Sequence, residues 1–264
     1  MGRNWETWFP RDRRPPRSGE LEFIDGGTIA VMTVREFGGF VDDKRSQGLE
    51  EFYKDAFQRI ADKNAKALIL DLRDNNGGDD KLGILLLRHL IGEPFTHYED
   101  IIVKKTSFAL GEGLIGTNRI RLPYHAEKRD DGLYHLIDYP NLGALQPAAP
   151  IFSGKIYVLM NGGSFSTTAE VITQLHNHRR AVFIGAEDGG MYDGNNSGTI
   201  ALVTLPNTKL VLTLPLMSCR LSVGGDEDNS RGGGPDYPVE YSIDDYVANS
   251  DKEMSVALGL ARRE

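Results

Sequence analysis

The sequence predicts a protein of the α/β class, on three observations. Two short apolar runs, ALILDL at 67–72 and KIYVLMN at 155–161, are typical of strands that are covered on both faces of a sheet. Each run ends in a glycine-rich turn that opens a helical segment. A chain of 264 residues with 40% hydrophobic content is also long enough to bury a substantial core. In a parallel sheet both turns would lie at the same carboxyl edge, where a hydroxyl and free backbone N–H groups can meet.

The residues before the first turn predict a hairpin and an amphipathic helix. LEFI at 21–24 and TIAVMTV at 28–34 flank a DGG turn, and the second run is rich in the β-branched residues that strands favour. From 47 to 62, apolar residues recur at i, i+3, i+4, i+7, i+8 and i+11, the spacing of one buried helix face. These residues are Leu49, Phe52, Tyr53, Ala56, Phe57 and Ile60.

The two turns divide the rest of the chain into recognisable elements. The pair Asp79-Asp80 gives the acidic first turn of a helix that runs to about residue 91. Residues 95–150 lose the strand-helix rhythm and predict an inserted, hairpin-rich lobe or lid. The predicted elements that follow are the strand at 155–161, a helix at about 166–177, a strand at 181–185, a hairpin around Pro206-Asn207 and a helix near 250–261.

Composition narrows the classes of partner and cofactor. The formal charge of −8 gives no overall attraction to nucleic acid or anionic membrane, although a basic, proline-containing segment at 1–18 predicts a flexible arm. The single cysteine, Cys219, excludes an internal disulfide and makes a cysteine-based metal site unfavourable. No apolar stretch approaches the roughly 18 residues needed to span a bilayer, and the N-terminus lacks the apolar core of a signal peptide. We therefore expect no metal or other cofactor and no membrane span, and the oligomeric state is open.

Ser166 is the first candidate for chemistry. It lies in GGSFSTTAE, where a strand turns into a helix, and unpaired N–H groups and the helix dipole at a helix start favour an oxyanion. A nucleophile there is well placed for acyl transfer. The same letters have a structural interpretation, because Thr167 followed by Glu170 fits a capping box.

The turn RDNNGG at 73–78 is the second candidate. Asparagine and glycine supply the positive φ that such a turn needs, which is a purely structural role. In a functional role, Gly77 and Gly78 would present main-chain N–H groups to a substrate carbonyl. The occurrence of both turns, each after a buried strand, is more specific than either alone.

Five ordered blocks carry a resemblance to a known family: ALILDLRDNNGG, YVLMNGGSFSTTAE, RRAVFIGAEDGG at 179–190, LPNTKLVLTLPL at 205–216 and GGGPDYPVE at 232–240. Over roughly residues 20–245 the chain resembles the catalytic domain of the tail-specific, or C-terminal processing, serine peptidases. The resemblance implies a Clp-protease/crotonase-like core of strands flanked by helices, with a catalytic domain over 19–250, an inserted lobe at 95–150 and a C-terminal helix in 251–264. It also implies a polypeptide substrate, and it favours a periplasmic or extracellular location.

The resemblance assigns roles at the two turns. Ser166 is then the nucleophile, and the oxyanion donors are the backbone N–H of Thr167 and of Gly77 or Gly78. Ser164 is a less favourable nucleophile because it lies further from the helix start. Family members usually place an acidic residue three positions after the serine, whereas Glu170 lies four after it, so a one-residue insertion or a Thr167 nucleophile stays open.

The general base is the point at which the chain departs from the family. Met191 stands where the usual lysine, about 25 residues after the serine, would be. Another branch, similar to the tricorn protease core, uses an upstream histidine and an acidic residue, for which Asp228 is the first candidate. None of the six histidines lies in a family-like position. His176 is ten residues along the predicted helix from Ser166, roughly 15 Å away, and His125 or His135 could reach the serine only from a lid.

Three functions follow as hypotheses. The first is a serine peptidase that hydrolyses polypeptide amides through an acyl-enzyme on Ser166. The second is a catalytically silent peptide-binding or scaffold domain that keeps the groove and lacks the base. The third is a crotonase-like acyl-CoA enzyme, which would bind coenzyme A and would not need Ser166.

Overall fold

A computed structural model describes residues 19–38, 43–109, 115–116, 119–224 and 231–263. The strands of the described chain are β1 (Gly19–Ile24), β2 (Ile29–Val34), β3 (Ala67–Asp71), β4 (Phe95–Thr96), β5 (Tyr98–Val103), β6 (Ser107–Ala109), β7 (Ile115–Gly116), β8 (Arg119–Arg121), β9 (Ala126–Lys128), β10 (Tyr134–Leu136), β11 (Ala144–Leu145), β12 (Lys155–Met160), β13 (Ala181–Gly185), β14 (Gly194–Thr204), β15 (Val211–Leu221) and β16 (Tyr237–Pro238). The helices are α1 (Asp43–Asp62), α2 (Asp80–Leu90), α3 (Thr167–Asn177), α4 (Ile243–Val247) and α5 (Lys252–Ala261).

The central sheet is mostly parallel and has the strand order β1-β2-β3-β12-β13-β16. Only the β1–β2 hairpin at its edge is antiparallel. The strands β3 and β12 lie side by side in parallel, with Lys155 opposite Ala67. The turns that follow them therefore lie at the same carboxyl edge, as the sequence predicts.

Helices cover both faces of this sheet. On one face, Leu68, Leu70 and Val158 belong to a core formed with α1, α2 and α3. On the other face, Ile69 and Leu159 pack with residues of α5. This alternation along β3 and β12 explains their continuous apolar sequences, because every side chain of a doubly covered strand is removed from water.

A second, antiparallel sheet has the order β7-β14-β15-β5-β10-β9, so it combines strands from residues 95–150 with the later β14–β15 hairpin. Its apolar side chains, among them Tyr98, Ile101 and Cys219, form a separate cluster that includes Ile84 of α2. Two short ribbons, β4 with β11 and β6 with β8, complete the region. The second sheet thus packs on the helix that follows the first glycine-rich turn.

Most predicted elements are present, and the differences have local causes. The predicted hairpin at 21–34 is β1–β2, and the helices predicted at 47–62, 166–177 and 250–261 are α1, α3 and α5, although α1 begins at Asp43. The β14–β15 hairpin is longer than predicted, because GNNSG at 194–198 lacks strand-forming residues yet pairs with residues 217–220. The sequence also missed α4, a short helix with a Ser242/Asp245 capping box.

The mixed α/β class is confirmed. The predicted basic arm at 1–18 lies outside the described residues. Among the helices that the structure describes, none has the length and apolar character needed to cross a bilayer.

Candidate active site

The first turn, residues 72–79, is shaped by a buried asparagine. Asn75 donates from Nδ2 to the carbonyl oxygen of Val34 at 3.0 Å, and its Oδ1 accepts the N–H of Gly77 at 2.9 Å. Gly77 has a φ of 94°, in the region that favours glycine. The side chain of Asn75 therefore holds the backbone of the turn in place from within.

Gly78 joins this turn to the segment after β2. The N–H of Phe37 donates to the carbonyl oxygen of Gly77, and the N–H of Asp79 donates to that of Phe37, both at 2.9 Å. A Cβ atom on Gly78 would lie 2.3 Å from the carbonyl oxygen of Gly38. Glycine is thus required here by a close approach of two backbones as well as by φ.

The second turn, residues 161–167, is fastened to the first by hydrogen bonds. The hydroxyl of Ser164 donates to the carbonyl oxygen of Leu72 at 2.9 Å, and the N–H of Phe165 donates to that of Asn75 at 3.0 Å. Ser164 is fully buried. Its hydroxyl serves the joint between the turns, which agrees with the sequence preference for Ser166 as the nucleophile.

Ser166 has an unusual backbone conformation, with φ 56° and ψ −127°. Such values cost a non-glycine residue on the order of 1–3 kcal/mol and persist only where the surroundings enforce them. Here the residue sits between β12 and α3, and its side chain makes no cap hydrogen bond. A strained serine on a sharp strand-to-helix turn is the arrangement that exposes the Oγ of a nucleophile.

The capping box predicted for Thr167 and Glu170 is wrong. The hydroxyl of Thr167 donates instead to the carbonyl oxygen of Gly78 at 3.0 Å, across the joint between the turns. The carboxylate of Glu170 is turned away from the helix start toward other partners. Both side chains of the expected capping box therefore form tertiary contacts instead.

Two backbone N–H groups at the joint remain available for a substrate oxygen. Within the described residues, neither the N–H of Thr167 nor that of Gly78 donates a hydrogen bond to the protein. The N–H of Gly77 is occupied by Asn75. A Cβ on Gly77 would lie 2.8 Å from the Cβ of Ser166 and 3.0 Å from the nitrogen of Thr167, so the first turn touches the serine directly.

A pocket of about 180 Å³ opens beside Ser166. The described residues that line it are Phe165, Ser166, Ala169, Glu170, Gly189, Gly190, Met191, Gly194, Asn195, Asn196 and Ser197. Met191, at the position where the resemblance places a lysine, therefore lines the same pocket as the serine, and its thioether cannot accept the serine proton. In the described part of the chain, the Ser166 hydroxyl forms no hydrogen bond with another residue.

Glu170 is the centre of a buried polar network that the sequence did not reveal. His97 Nε2 lies 3.1 Å from Glu170 Oε2, the Tyr98 hydroxyl donates to the same oxygen at 3.0 Å, and the Asn195 amide donates to Oε1. Tyr98 also contacts Asp80, whose pKa is raised by burial and then by the charge of Glu170. The sequence placed His97 only within the predicted insertion, and its one indication of the network was the shifted position of Glu170.

The other histidines are engaged elsewhere. His125 contacts Asp138, His135 contacts Asp100 and Asp131, and His176 contacts the hydroxyl of Tyr192 at 2.8 Å. No histidine is among the described residues that line the Ser166 pocket. Asp228, the predicted acidic residue, lies outside the described residues.

Asp188 is a buried acidic side chain in the loop that precedes Met191. Its carboxylate accepts the N–H groups of Gly190 and Gly233, both at 2.8 Å, and burial raises its pKa to about 6. Gly189 in turn donates to the carbonyl oxygen of Ser164 at 3.0 Å. The loop that carries Met191 is therefore tied both to the nucleophile turn and to residues 232–233.

No cluster of three or more histidine, cysteine, aspartate or glutamate side chains suited to a metal ion occurs in the part of the chain that the structure describes.

These features form a candidate active site on an α/β scaffold, and the sequence comparison identifies the family. The profile of peptidase family S41 matches residues 28–239, which is most of the chain, so the protein belongs to that family of serine peptidases. A search of curated proteins found no significant match.

Solved structures share the fold at low sequence identity. A putative peptidase from Parabacteroides merdae aligns with a TM-score of 0.55 and 18% identity, over 97% of this chain and 68% of its own. Mature CPAF complexed with lactacystin aligns with a TM-score of 0.56 and 17% identity, over 93% and 55%. The photosystem II D1 C-terminal processing protease aligns with a TM-score of 0.50 and 14% identity, over 84% and 48%. The chain thus spans about half to two thirds of the length of these proteins.

Proposed function

We propose that the protein is a serine peptidase that cleaves polypeptide amide bonds through an acyl-enzyme on Ser166. The observation that carries the proposal is the strained backbone of Ser166 at the start of α3, in contact with the glycine-rich turn at 72–79. Strain at a non-glycine residue is retained where function requires the geometry. The family assignment of residues 28–239 supports the reaction class.

In the proposed mechanism, Ser166 Oγ attacks the substrate carbonyl and the oxyanion accepts hydrogen bonds from the N–H groups of Thr167 and Gly78. We choose Gly78 over Gly77 because the Gly77 N–H already donates to Asn75. The N-terminal end of α3 adds a favourable dipole to the same position. Two preorganised donors at an oxyanion are among the larger contributions to catalysis of acyl transfer.

The proton of Ser166 needs an acceptor that the described residues do not supply. Met191 lines the pocket at the position where the resemblance places a lysine, and no histidine is among the described residues that line it. We therefore propose that the base is a group outside the described residues, with Asp228 as the acidic residue that orients it. Whichever group acts as the base must come within hydrogen-bond distance of Ser166 Oγ in the substrate complex.

We further propose that substrate binds as an extended strand along residues 194–199. Residues 194–197 of β14 pair with β15 on one side, and among the described residues β7 pairs with β14 at Val203 and Thr204. Residues 194–197 also line the Ser166 pocket. An extended peptide that adds to a strand edge gains main-chain hydrogen bonds without a demand on sequence. Processing near the carboxyl terminus of a polypeptide is the finer activity that the resemblance to tail-specific peptidases favours.

Labelling with a serine-directed fluorophosphonate, followed by peptide mass mapping, tests the nucleophile. We expect one label, on Ser166, and its loss in Ser166→Ala. Ser197→Ala is the matched control, because Ser197 lines the same pocket and has no proposed role. Labelling of Thr167 or Ser164 in place of Ser166 would identify that residue as the nucleophile.

Hydrolysis of a quenched fluorescent peptide library tests the reaction, and the positions of the cut bonds test C-terminal processing. We expect Ser166→Ala to lower kcat/KM by about 10⁴-fold or more. An unlabelled and inactive wild-type chain would instead support the silent peptide-binding domain.

A further inference from the structure

Arg73 lies in the turn that presents the oxyanion donors, and its guanidinium is almost fully engaged. It donates from Nε and Nη2 to the two carboxylate oxygens of Asp71, each at 2.9 Å. It also donates from Nη1 and Nη2 to the two carboxylate oxygens of Asp251, at 2.8 Å and 3.0 Å. A third carboxylate, that of Glu253, lies 3.2 Å from Nη1. Planar, bidentate pairing of this kind fixes orientation as well as charge.

The two ends of this arrangement belong to distant parts of the chain. Asp71 is the last residue of β3, and Arg73 lies four residues before Gly77, on which an added Cβ would contact Ser166. Asp251 is the N-cap of α5, and Glu253 is in its first turn. The family profile ends at residue 239, so the partners on α5 lie beyond the matched part of the chain.

The helix α5 packs against the strands β3 and β12 of the central sheet. Its buried Ala257 packs in the cluster that contains Ile69 of β3 and Leu159 of β12. Glu253 is also buried and accepts the hydroxyl of Tyr241. The start of the helix that contacts Arg73 is therefore held by burial and by a hydrogen bond of its own.

We propose that Asp251 and Glu253 of the C-terminal helix are positioning residues that hold the oxyanion turn in place through Arg73. The inference rests on the proposed function only for its effect on catalysis. The helix α5 holds Arg73, and Arg73 and Asp71 set the direction of the chain after β3. In the turn that follows, Asn75, Gly77 and Gly78 contact Phe165, Ser166 and Thr167. A displacement of about 1 Å at reacting groups can cost on the order of 100-fold in rate, so a modest loosening of the turn has a measurable effect.

The variant Asp251→Asn separates this contact from the stability of α5. Asp251 also accepts the N–H of Met254 at 3.0 Å as the helix cap, and asparagine caps a helix about as well as aspartate. The substitution therefore keeps the cap and removes the carboxylate that faces Arg73. Asp244→Asn is the matched control, since Asp244 is exposed and lies in the neighbouring helix α4.

Two measurements test the proposal. Hydrogen exchange of the peptide covering 72–80 is expected to become about 10-fold faster in Asp251→Asn and to stay unchanged in Asp244→Asn, because the protected amides of the turn open more often. In peptide hydrolysis, Asp251→Asn is expected to lower kcat by about 10-fold with KM within about 2-fold of wild type.

The variant Arg73→Ala gives a second test of the proposal. Free guanidinium ion can occupy the space between Asp71 and Asp251, so we expect it to restore part of the kcat of Arg73→Ala and none of that of Ser166→Ala. Equal exchange of the turn in Asp251→Asn and Asp244→Asn overturns the proposal, and so does faster exchange without a fall in kcat. Failure of the wild-type chain to label or hydrolyse would instead count against the proposed function, while the exchange result would still decide the role of α5.

Discussion

The two sides of the Ser166 pocket are built very differently. On the inner side, the turns at 72–79 and 161–167 are joined by hydrogen bonds from Ser164, Phe165 and Thr167, and the N–H groups of Gly78 and Thr167 donate to no described residue. On the outer side, the loop at 188–197 is held by the hydrogen bonds of Asp188, and Met191 lines the pocket where the resemblance predicts a lysine. The comparison teaches that stabilisation of an oxyanion and transfer of a proton are separable parts of a serine peptidase site. In the proposed site the described residues supply the oxyanion donors, whereas the general base is assigned to a group outside them.

The largest expected effect is on the inner side, from Gly77→Ala. A Cβ there would lie 2.8 Å from the carbonyl oxygen of Phe165 and from the Cβ of Ser166, on a residue with φ 94°. We expect fluorophosphonate labelling and peptide hydrolysis to fall by about 100-fold or more, because the oxyanion donors are displaced. Gly132→Ala is the control: it has a similar φ of 83° and no atom within 4 Å of the new Cβ. An equal loss of labelling and hydrolysis in both variants would show that backbone strain alone causes the effect.

Met191→Lys tests the outer side by adding the missing amine. The side chain of Met191 is 46% exposed, so a lysine can be accommodated and can approach Ser166 from the family position. Since a positioned general base contributes about 10²–10⁴-fold, we expect hydrolysis to rise by about 10-fold or more and to gain a dependence on deprotonation at higher pH. The control Met191→Gln introduces a side chain of similar length without a basic group, and its rate of hydrolysis should not rise. An unchanged rate in the lysine variant would show that the outer side already receives a base from elsewhere.

The outer loop should also respond to pH through Asp188. Burial raises its pKa from 3.8 to about 6, so the folded protein binds this proton more tightly than the unfolded chain does. Its contribution to stability is therefore greatest below about pH 4 and is lost as the pH rises to about 6, by up to about 3 kcal/mol. The difference in the free energy of unfolding between wild type and Asp188→Asn, measured by urea at several pH values, should show this slope. In Asp130→Asn, which changes an exposed residue, the pH dependence of the free energy of unfolding should stay as in the wild type.

The smallest effect is expected from Glu170→Gln, where the two sides meet. The carboxylate receives hydrogen bonds from Tyr98 and Asn195 and lies beside His97, and the amide cannot replace all of these contacts. We expect a loss of about 2 kcal/mol in the free energy of unfolding. Glu51→Gln on the exposed face of α1 should change it by less than about 0.5 kcal/mol. A loss in Glu170→Gln no larger than this would mean that the network is not a source of stability.

Much of the fold could be predicted because its signals are local. The continuous apolar runs at 67–72 and 155–161 indicate strands covered on both faces, and the spacing from Leu49 to Ile60 indicates one helix face. The long β14–β15 hairpin was only partly predicted. Its first residues, GNNSG, have no strand propensity, and they are extended because β15 supplies hydrogen-bond partners.

The candidate site was predictable to a similar degree. The spacing of the blocks selects Ser166 and the glycine pair at 77–78, which remain predictions as catalytic groups. The role of Asn75 in occupying the Gly77 N–H was not predictable, nor were the partners of Glu170. The apparent capping box of Thr167 and Glu170 shows the reason, because a local motif yields when buried partners elsewhere in the fold satisfy the same groups better.

The sequence by itself determined the two strand-turn-helix units, since apolar periodicity and glycine at positions of positive φ act over a few residues. Only the tertiary structure decided how these units meet. It placed Gly77 against Ser166, committed the hydroxyl of Thr167 to Gly78, and linked Arg73 to a helix about 180 residues later in the chain. The physical reason is that such contacts depend on the packing of parallel strands and helices that are far apart in sequence, where no spacing rule relates one residue to its partner.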